Sequence, residues 1–306
     1  MQKVKGLKEG SRLGLLAPAS DVAEEAVRKG AAELEGLGFQ VILSSSLYSK
    51  HYYFAGTHDV RARDLMGMFS NPEIDAIVCA RGGYGSVHLL QYLDAETIRR
   101  TAKAFVGYSD ITVLLQFLEQ NCGTVCFHGP MAAREFAGGE PAYDRRSFLE
   151  ALMETQPGLQ IDGSNCTTLR GGKTRGQLSG GCLSLLTASL GTPYDIQTEG
   201  KILFLEDVNT KPYQIDRMLM QLKLAGKLDR IRGIIFGEML NCTQGPQQDY
   251  LLQDIVMNIF QGYDFPILYG LPSGHTSGRA LTLPFGVQVF LDADEKILRL
   301  EEAAVY

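Results

Sequence analysis

Between residues 12 and 127 the chain repeats one pattern: a short apolar run, a glycine or proline break, then a helical stretch with one apolar face. The runs are 12–17, 39–43, 74–80, 103–107 and 124–127, and the helical stretches between them are 22–37, 60–69, 87–93 and 111–119. Strands that are apolar along their whole length must be covered on both faces, and helices between successive strands supply that cover. The alternation therefore predicts an α/β fold, an open and mostly parallel sheet flanked by helices. In such sheets a ligand sits beyond the carboxyl ends of the strands. Two stretches fall there, Arg81-Gly-Gly-Tyr-Gly85 and Gly107-Tyr-Ser-Asp110.

A chain of 306 residues is long for one core, which points to two domains. After a helix at 143–154, residues 157–173 turn polar and glycine-rich. The expected division is 1–156, a linker at 157–173, and a smaller α/β domain with β-hairpins at 174–306. The second half reads as helix 182–190, strand 201–205, helix 213–224, strand 231–236 and helix 250–260, then alternating residues 281–301 around a turn at Asp292-Ala-Asp-Glu295. A net charge of −6 argues against a nucleic-acid partner, which calls for a concentrated basic surface. No run reaches the roughly 20 apolar residues of a membrane span. The N-terminus has positive charge with no apolar stretch behind it, so no signal peptide is expected. Six cysteines without C-x-x-C spacing favour buried thiols in a reducing cytoplasm over disulfides or zinc.

Ser109 is the first candidate for chemistry. A serine between the strand 103–107 and the helix 111–119 points out of the sheet, beside the first amides of the helix. This is the logic of a nucleophile elbow, although Ile111 stands where G-x-S-x-G needs its last glycine. The competing role is helix capping. A serine nucleophile needs a base, and of five histidines His275, in the shaped loop 270–278, and His128, after a buried strand, are the candidates. The base needs an orienting carboxylate, and Glu206 and Glu238 both stand at strand ends. Residue pattern leaves both choices open. Gly171-Gly-Lys-Thr174 imitates a phosphate-binding loop, but Thr167 occupies the position of its first glycine. The loop 81–85 lacks dinucleotide spacing; its bare amides can approach a substrate oxygen, and Arg81 is available for a carboxylate.

Taken together these blocks resemble the LD-carboxypeptidase family of serine peptidases, which includes muramoyl-tetrapeptide carboxypeptidases and microcin C immunity peptidases. The matching pieces are Leu16-Ala-Pro-Ala-Ser20, Phe54-Ala-Gly-Thr57 with Arg61 after it, Cys79-Ala-Arg-Gly-Gly-Tyr-Gly-Ser86 and Gly107-Tyr-Ser-Asp-Ile-Thr112. Further along come Gly180-Gly-Cys-Leu-Ser-Leu-Leu186, Phe204-Leu-Glu-Asp-Val208, Tyr213-Gln-Ile-Asp-Arg-Met-Leu219 and Gly274-His275. The resemblance implies an N-terminal domain like class I glutamine amidotransferases and a catalytic triad of Ser109, Glu206 and His275. It also implies an oxyanion hole from the backbone amides of Gly83 and Asp110. Arg81 is the expected binder of the substrate's free carboxylate. The implied activity is hydrolysis of an L,D-peptide bond, releasing D-alanine from a murein tetrapeptide in the cytoplasm, by a homodimer with no cofactor or metal. Two alternatives accompany it: immunity against a peptide-nucleotide antibiotic, and a non-catalytic protein that closes on a small peptide. One departure is visible, since the family carries asparagine where this chain has Cys182.

Overall fold

The structure is a computed structural model that describes residues 1–243, 245 and 247–306. Its first sheet is built from β1 (Arg12–Leu16), β2 (Gln40–Leu43), β3 (Ala76–Cys79), β4 (Ala104–Gly107) and β5 (Cys126–His128), all mutually parallel. Their order is β5-β4-β3-β1-β2. Every residue of β3, β4 and β5 is buried, as the unbroken apolar runs require. The helices α1 (Glu24–Gly36), α2 (His58–Ser70), α3 (Ala95–Arg100) and α4 (Thr112–Gln120) follow strands in the expected alternation. Residues 86–92, read as an ordinary helix, form a 3-10 helix. After α5 (Arg145–Met153), which Asp144 caps by accepting the Ser147 amide at 2.6 Å, the chain enters the second sheet.

Residues 157–173, expected as a linker, carry β6 (Gln160–Asp162) and β7 (Thr167–Arg170). The strand β8 (Lys173–Cys182) has no counterpart in the sequence reading, because it is polar at its start and broken by Gly176, Gly180 and Gly181. Then come α6 (Leu183–Ala188), β9 (Lys201–Glu206), α7 (Pro212–Leu224), β10 (Gly233–Gly237), α8 (Leu252–Ile259) and β11 (Ile267–Leu271). The chain ends with β12 (Leu283–Phe285), β13 (Gln288–Asp292) and β14 (Ile297–Leu300). The second sheet has eight strands against six in the first, in the order β6-β14-β13-β8-β9-β10-β11-β7. Its centre, β8 to β11, is parallel, and its flanks are antiparallel. β13 and β14 form the expected hairpin. The strand just before them, β12, leaves the second sheet and pairs antiparallel with β5 of the first.

The two sheets meet on α4. A helix apolar on all sides is stable only when covered all round, and every residue of α4 but Gln120 is buried. Its few polar groups bond the second sheet. The Gln116 side chain donates to Gly180 O at 2.8 Å, and the Cys182 amide donates to Thr112 Oγ1 at 3.0 Å. Glu119 accepts from Ser179 Oγ at 2.6 Å and pairs with Lys201 Nζ at 2.5 Å. The helix that follows Ser109 is thereby tied to the strands that lead to Glu206.

Candidate active site

Beyond Gly107 the chain turns back so tightly that a β-carbon there would stand 2.9 Å from Ile111. Ser109 takes φ = 64°, the left-handed region that L-residues enter at a cost of about 1–3 kcal/mol. The strain places the hydroxyl on the outside of a strand-to-helix turn, ahead of the 3-10 turn Ser109–Ile111 and α4.

The glycine loop after β3 lies against this turn: a β-carbon on Gly82 would be 3.0 Å from Ser109 Cβ and 3.2 Å from the Asp110 nitrogen. Gly83 (φ = 101°) must be glycine, since any side chain would also run into Ser20. Ser20 fixes the loop at two points. Its amide donates to Gly82 O at 3.3 Å, and its hydroxyl accepts the Tyr84 amide at 3.1 Å. Among the described residues the Gly83 amide has no acceptor. Arg81 donates through Nη1 to Asp21 O at 3.1 Å, and its Nη2 would lie 3.6 Å from a β-carbon on Gly83. It therefore sits beside the amide expected to hold an oxyanion.

Glu206 ends β9 and is fully buried. Gly237 and Gly274 leave room for it, since a β-carbon on either would approach the Glu206 side chain within 2.9 Å. Its Oε2 accepts the His275 backbone amide at 3.2 Å and the ring Nδ1–H at 2.7 Å. Because the carboxylate only accepts, Nδ1 carries the proton and Nε2 presents a lone pair. Burial by itself lowers the pKa of His275. The Glu206 hydrogen bond and charge, with the charge of Asp207, outweigh it and leave the pKa raised. No hydrogen bond joins the Ser109 hydroxyl to His275 among the described residues. The link between them is Tyr108, whose ring meets His275 edge-on with centroids 5.0 Å apart. A serine–histidine bond that is open in the empty site and closes on substrate is common in such pairs.

The two rivals occupy supporting places. His128 is wholly buried behind the site, with Nδ1 3.1 Å from Ser273 Oγ and its ring against Tyr108, Phe204 and Phe285. Burial, with the charge of His275, pushes its pKa down to about 3. Glu238 grips the His275 loop from the other side: its carboxylate accepts from the Thr276 hydroxyl and from the Ser277 amide and hydroxyl, the latter two at 2.9 Å. Cys182 is the parallel-register partner of Glu206. Burial first, then the charges of Glu206 and Asp207, hold its thiol well above the usual range and so protonated. Two features escaped the sequence reading. A single π-helical turn, Ala132–Phe136, carries Arg134 and Glu135, and the Tyr108 hydroxyl donates to Glu135 at 2.7 Å. Between that turn and the His275 loop lies a cleft of about 520 Å³, lined by Arg134, Glu135, Thr276 and Ser277 among others. No periodicity or motif marks a π turn.

The family model of the LD-carboxypeptidase N-terminal domain matches residues 13–129, and that of the C-terminal domain matches residues 175–291. A probable murein peptide carboxypeptidase of Bacillus subtilis is 38% identical over 301 residues, 98% of this chain and 94% of the relative. Among solved structures, the microcin self-immunity protein MccF in complex with aspartyl sulfamoyl adenosine superposes with a TM-score of 0.91 at 26% identity, covering 100% of both chains. A muramoyltetrapeptide carboxypeptidase from Oxalobacter formigenes superposes with a TM-score of 0.82 at 28% identity, covering 95% of this chain and 98% of its own. No helix among the described residues is long and apolar enough to cross a membrane.

Proposed function

The chain belongs to the LD-carboxypeptidase family of serine peptidases, and from that premise we propose that it hydrolyses the L,D-peptide bond of a murein tetrapeptide, releasing the terminal D-alanine. The observation that carries this reading is the buried Glu206–His275 pair at 2.7 Å, packed edge-on against Tyr108, the neighbour of a serine at φ = 64°, together with a Gly83 amide that has no acceptor among the described residues. In the proposed mechanism His275 Nε2 takes the proton of Ser109 Oγ as the oxygen attacks the carbonyl of the L-configured residue. Glu206 holds the ring in the required tautomer and stabilises its cationic form. The oxyanion takes hydrogen bonds from the Gly83 and Asp110 amides. His275 then passes the proton to the departing amine of D-alanine, leaving an ester on Ser109. Water, deprotonated by His275, attacks the ester, and the tripeptide leaves as Ser109 recovers its proton. Arg81 binds the free carboxylate of the substrate in this scheme.

The test is incubation of wild type and Ser109→Ala with murein tetrapeptide, reading released D-alanine by mass spectrometry. Release by the wild type alone supports the reading, and equal release by both proteins rejects it. The likeness to MccF in its aminoacyl-sulfamoyl complex supports a second reading, immunity against a peptide-nucleotide antibiotic. Aspartyl sulfamoyl adenosine in the same assay separates the two. Peptide binding without turnover of either compound would leave the non-catalytic alternative. The proposal includes a homodimer working in the cytoplasm, checked by light scattering on the purified protein and by cell fractionation.

A further inference from the structure

We propose that Arg61 is a positioning residue for the oxyanion-binding loop, and that His58 is the partner through which acid loosens it. The inference rests on the serine-peptidase reading above.

Arg61 lies on α2 and is only 1% exposed. A buried cation is costly unless its donors are satisfied. Among the described residues all its acceptors are uncharged. Nη1 donates to Gly85 O at 2.9 Å and also to Pro18 O, Nε donates to Gly56 O at 3.3 Å, and Nη2 meets His58 Nδ1 at 2.6 Å. The guanidinium also faces the Phe54 ring at 4.8 Å. Pro18 follows β1 and Gly85 belongs to the loop after β3, so one side chain clamps the ends of two neighbouring strands. From the other side the buried Asp110 carboxylate accepts the Ser86 amide at 2.7 Å. The charges of Arg61 and Asp110 act on one another across the loop. Burial works against the charge on each side chain, and each charge favours the other, so residues 85 and 86 are gripped by Arg61 from α2 and by Asp110 from the elbow. Between that grip and β3 the loop runs through two left-handed glycines, Gly83 and Gly85 (φ = 101° and 132°), outside any strand or helix. The aim of the Gly83 amide therefore depends on its anchors, of which Arg61 and Asp110 are both only 1% exposed.

Arginine only donates, so His58 must offer Nδ1 as a bare lone pair. The His58 ring stacks on His88 with centroids 4.2 Å apart. The groups facing it are His88, Arg61, His51 and Asp59; burial and the first three disfavour its charged form, and Asp59 alone favours it. Protonation at Nδ1 would set a donor against a donor and one cation against another, and the clamp would lose its fourth bond.

The experiment compares wild type, Arg61→Lys, His58→Phe and His58→Gln on murein tetrapeptide, with Ser109→Ala as the blank and circular dichroism as the control for folding. Arg61→Lys is expected to lower kcat by about 10- to 100-fold with KM changed less than about threefold, somewhat less than deletion of an oxyanion donor. His58→Phe keeps a ring on His88 but offers no acceptor, and is expected to lower kcat severalfold. His58→Gln supplies an acceptor that does not titrate. It should keep kcat at neutral pH and remove the further, severalfold loss of kcat/KM that His58 protonation adds on the acid side of the His275 limb. Amide exchange at residues 83–86 should quicken in Arg61→Lys whatever the substrate. Folded Arg61→Lys and His58→Phe proteins with wild-type kcat and wild-type exchange would overturn the proposal. If Arg61→Lys does not fold, the two His58 variants decide the matter. A wild type that releases no D-alanine, combined with quickened exchange in Arg61→Lys, would instead put the fault in the choice of substrate.

Discussion

Ser109 keeps a backbone conformation that glycine adopts freely and serine does not. Ser109→Ala and Ser109→Gly both remove the proposed nucleophile, but only glycine relieves the strain. The glycine variant should be the more stable by about 0.5–1 kcal/mol, after the extra entropy of its unfolded chain. At this chain length that is about 1–3 °C in Tm, read by thermal melting of both proteins. His275 gives a second residue-level expectation. Its raised pKa means that the neutral base is lost on acidification at a pH above the ordinary histidine value of about 6.5, so the acid limb of kcat/KM lies above that value. Glu206→Gln removes the main influences that raise this pKa and leaves burial, which lowers it. The limb should move to lower pH while kcat falls by about 10³- to 10⁴-fold, as when the carboxylate of a triad is neutralised. An unmoved limb would reject the coupling. The serine could be singled out from sequence as a candidate because an elbow is made by adjacent residues. Its partners could not. Glu206 and Glu238 end neighbouring parallel strands, and local pattern cannot say which one reaches His275. Space decides it: Gly237 and Gly274 clear a pocket for the Glu206 side chain, whereas Glu238 meets the hydroxyls of Thr276 and Ser277.

At the scale of elements, α4 and β8 link the Ser109 turn to the strand next to Glu206. The helix was readable from its apolar run, the strand was not. Glycines that break a strand pattern in sequence are here the places where another element comes close. Gly181 has φ = 131°, and a β-carbon on it would stand 2.6 Å from Thr112 Cγ2. Thr112 is the first residue of α4 and accepts the Cys182 amide. Gly181→Ala should therefore cost about 2–4 kcal/mol, through backbone strain and overpacking together, measured by urea denaturation. It should also lower kcat more than a remote substitution of equal cost, because the displaced helix follows directly on the Ser109 turn. The segment 157–173 looked like a linker for a related reason: short edge strands such as β6 and β7 bury few side chains, so their composition stays polar.

The whole molecule was legible as α/β and as two sheets, but not as to how firmly they are joined. One apolar cluster contains Leu13, Leu15, Ile77 and Val106 of the first sheet together with Leu178, Ile202, Phe204 and Leu268 of the second. Nothing in local periodicity reports a core shared between distant segments. A fragment ending at residue 156 keeps the strands of the first half but loses more than a quarter of that cluster, including all of its second-sheet members. It should show no cooperative melt by near-ultraviolet circular dichroism, and a sharp transition in the fragment would contradict the shared core. Intact protein should unfold in one step, with ellipticity and activity lost together. The crossing of β12 into the first sheet adds a matter of timing. Its partner β5 leaves the ribosome about 155 residues earlier, since Leu283 pairs with His128. At roughly 5–20 residues per second, the growing chain holds an unpaired sheet edge for about 8–30 s before β12 can close it. Over that interval a second nascent chain is a competitor for the same edge, which makes the spacing of ribosomes on the message, and not only the sequence, a determinant of yield.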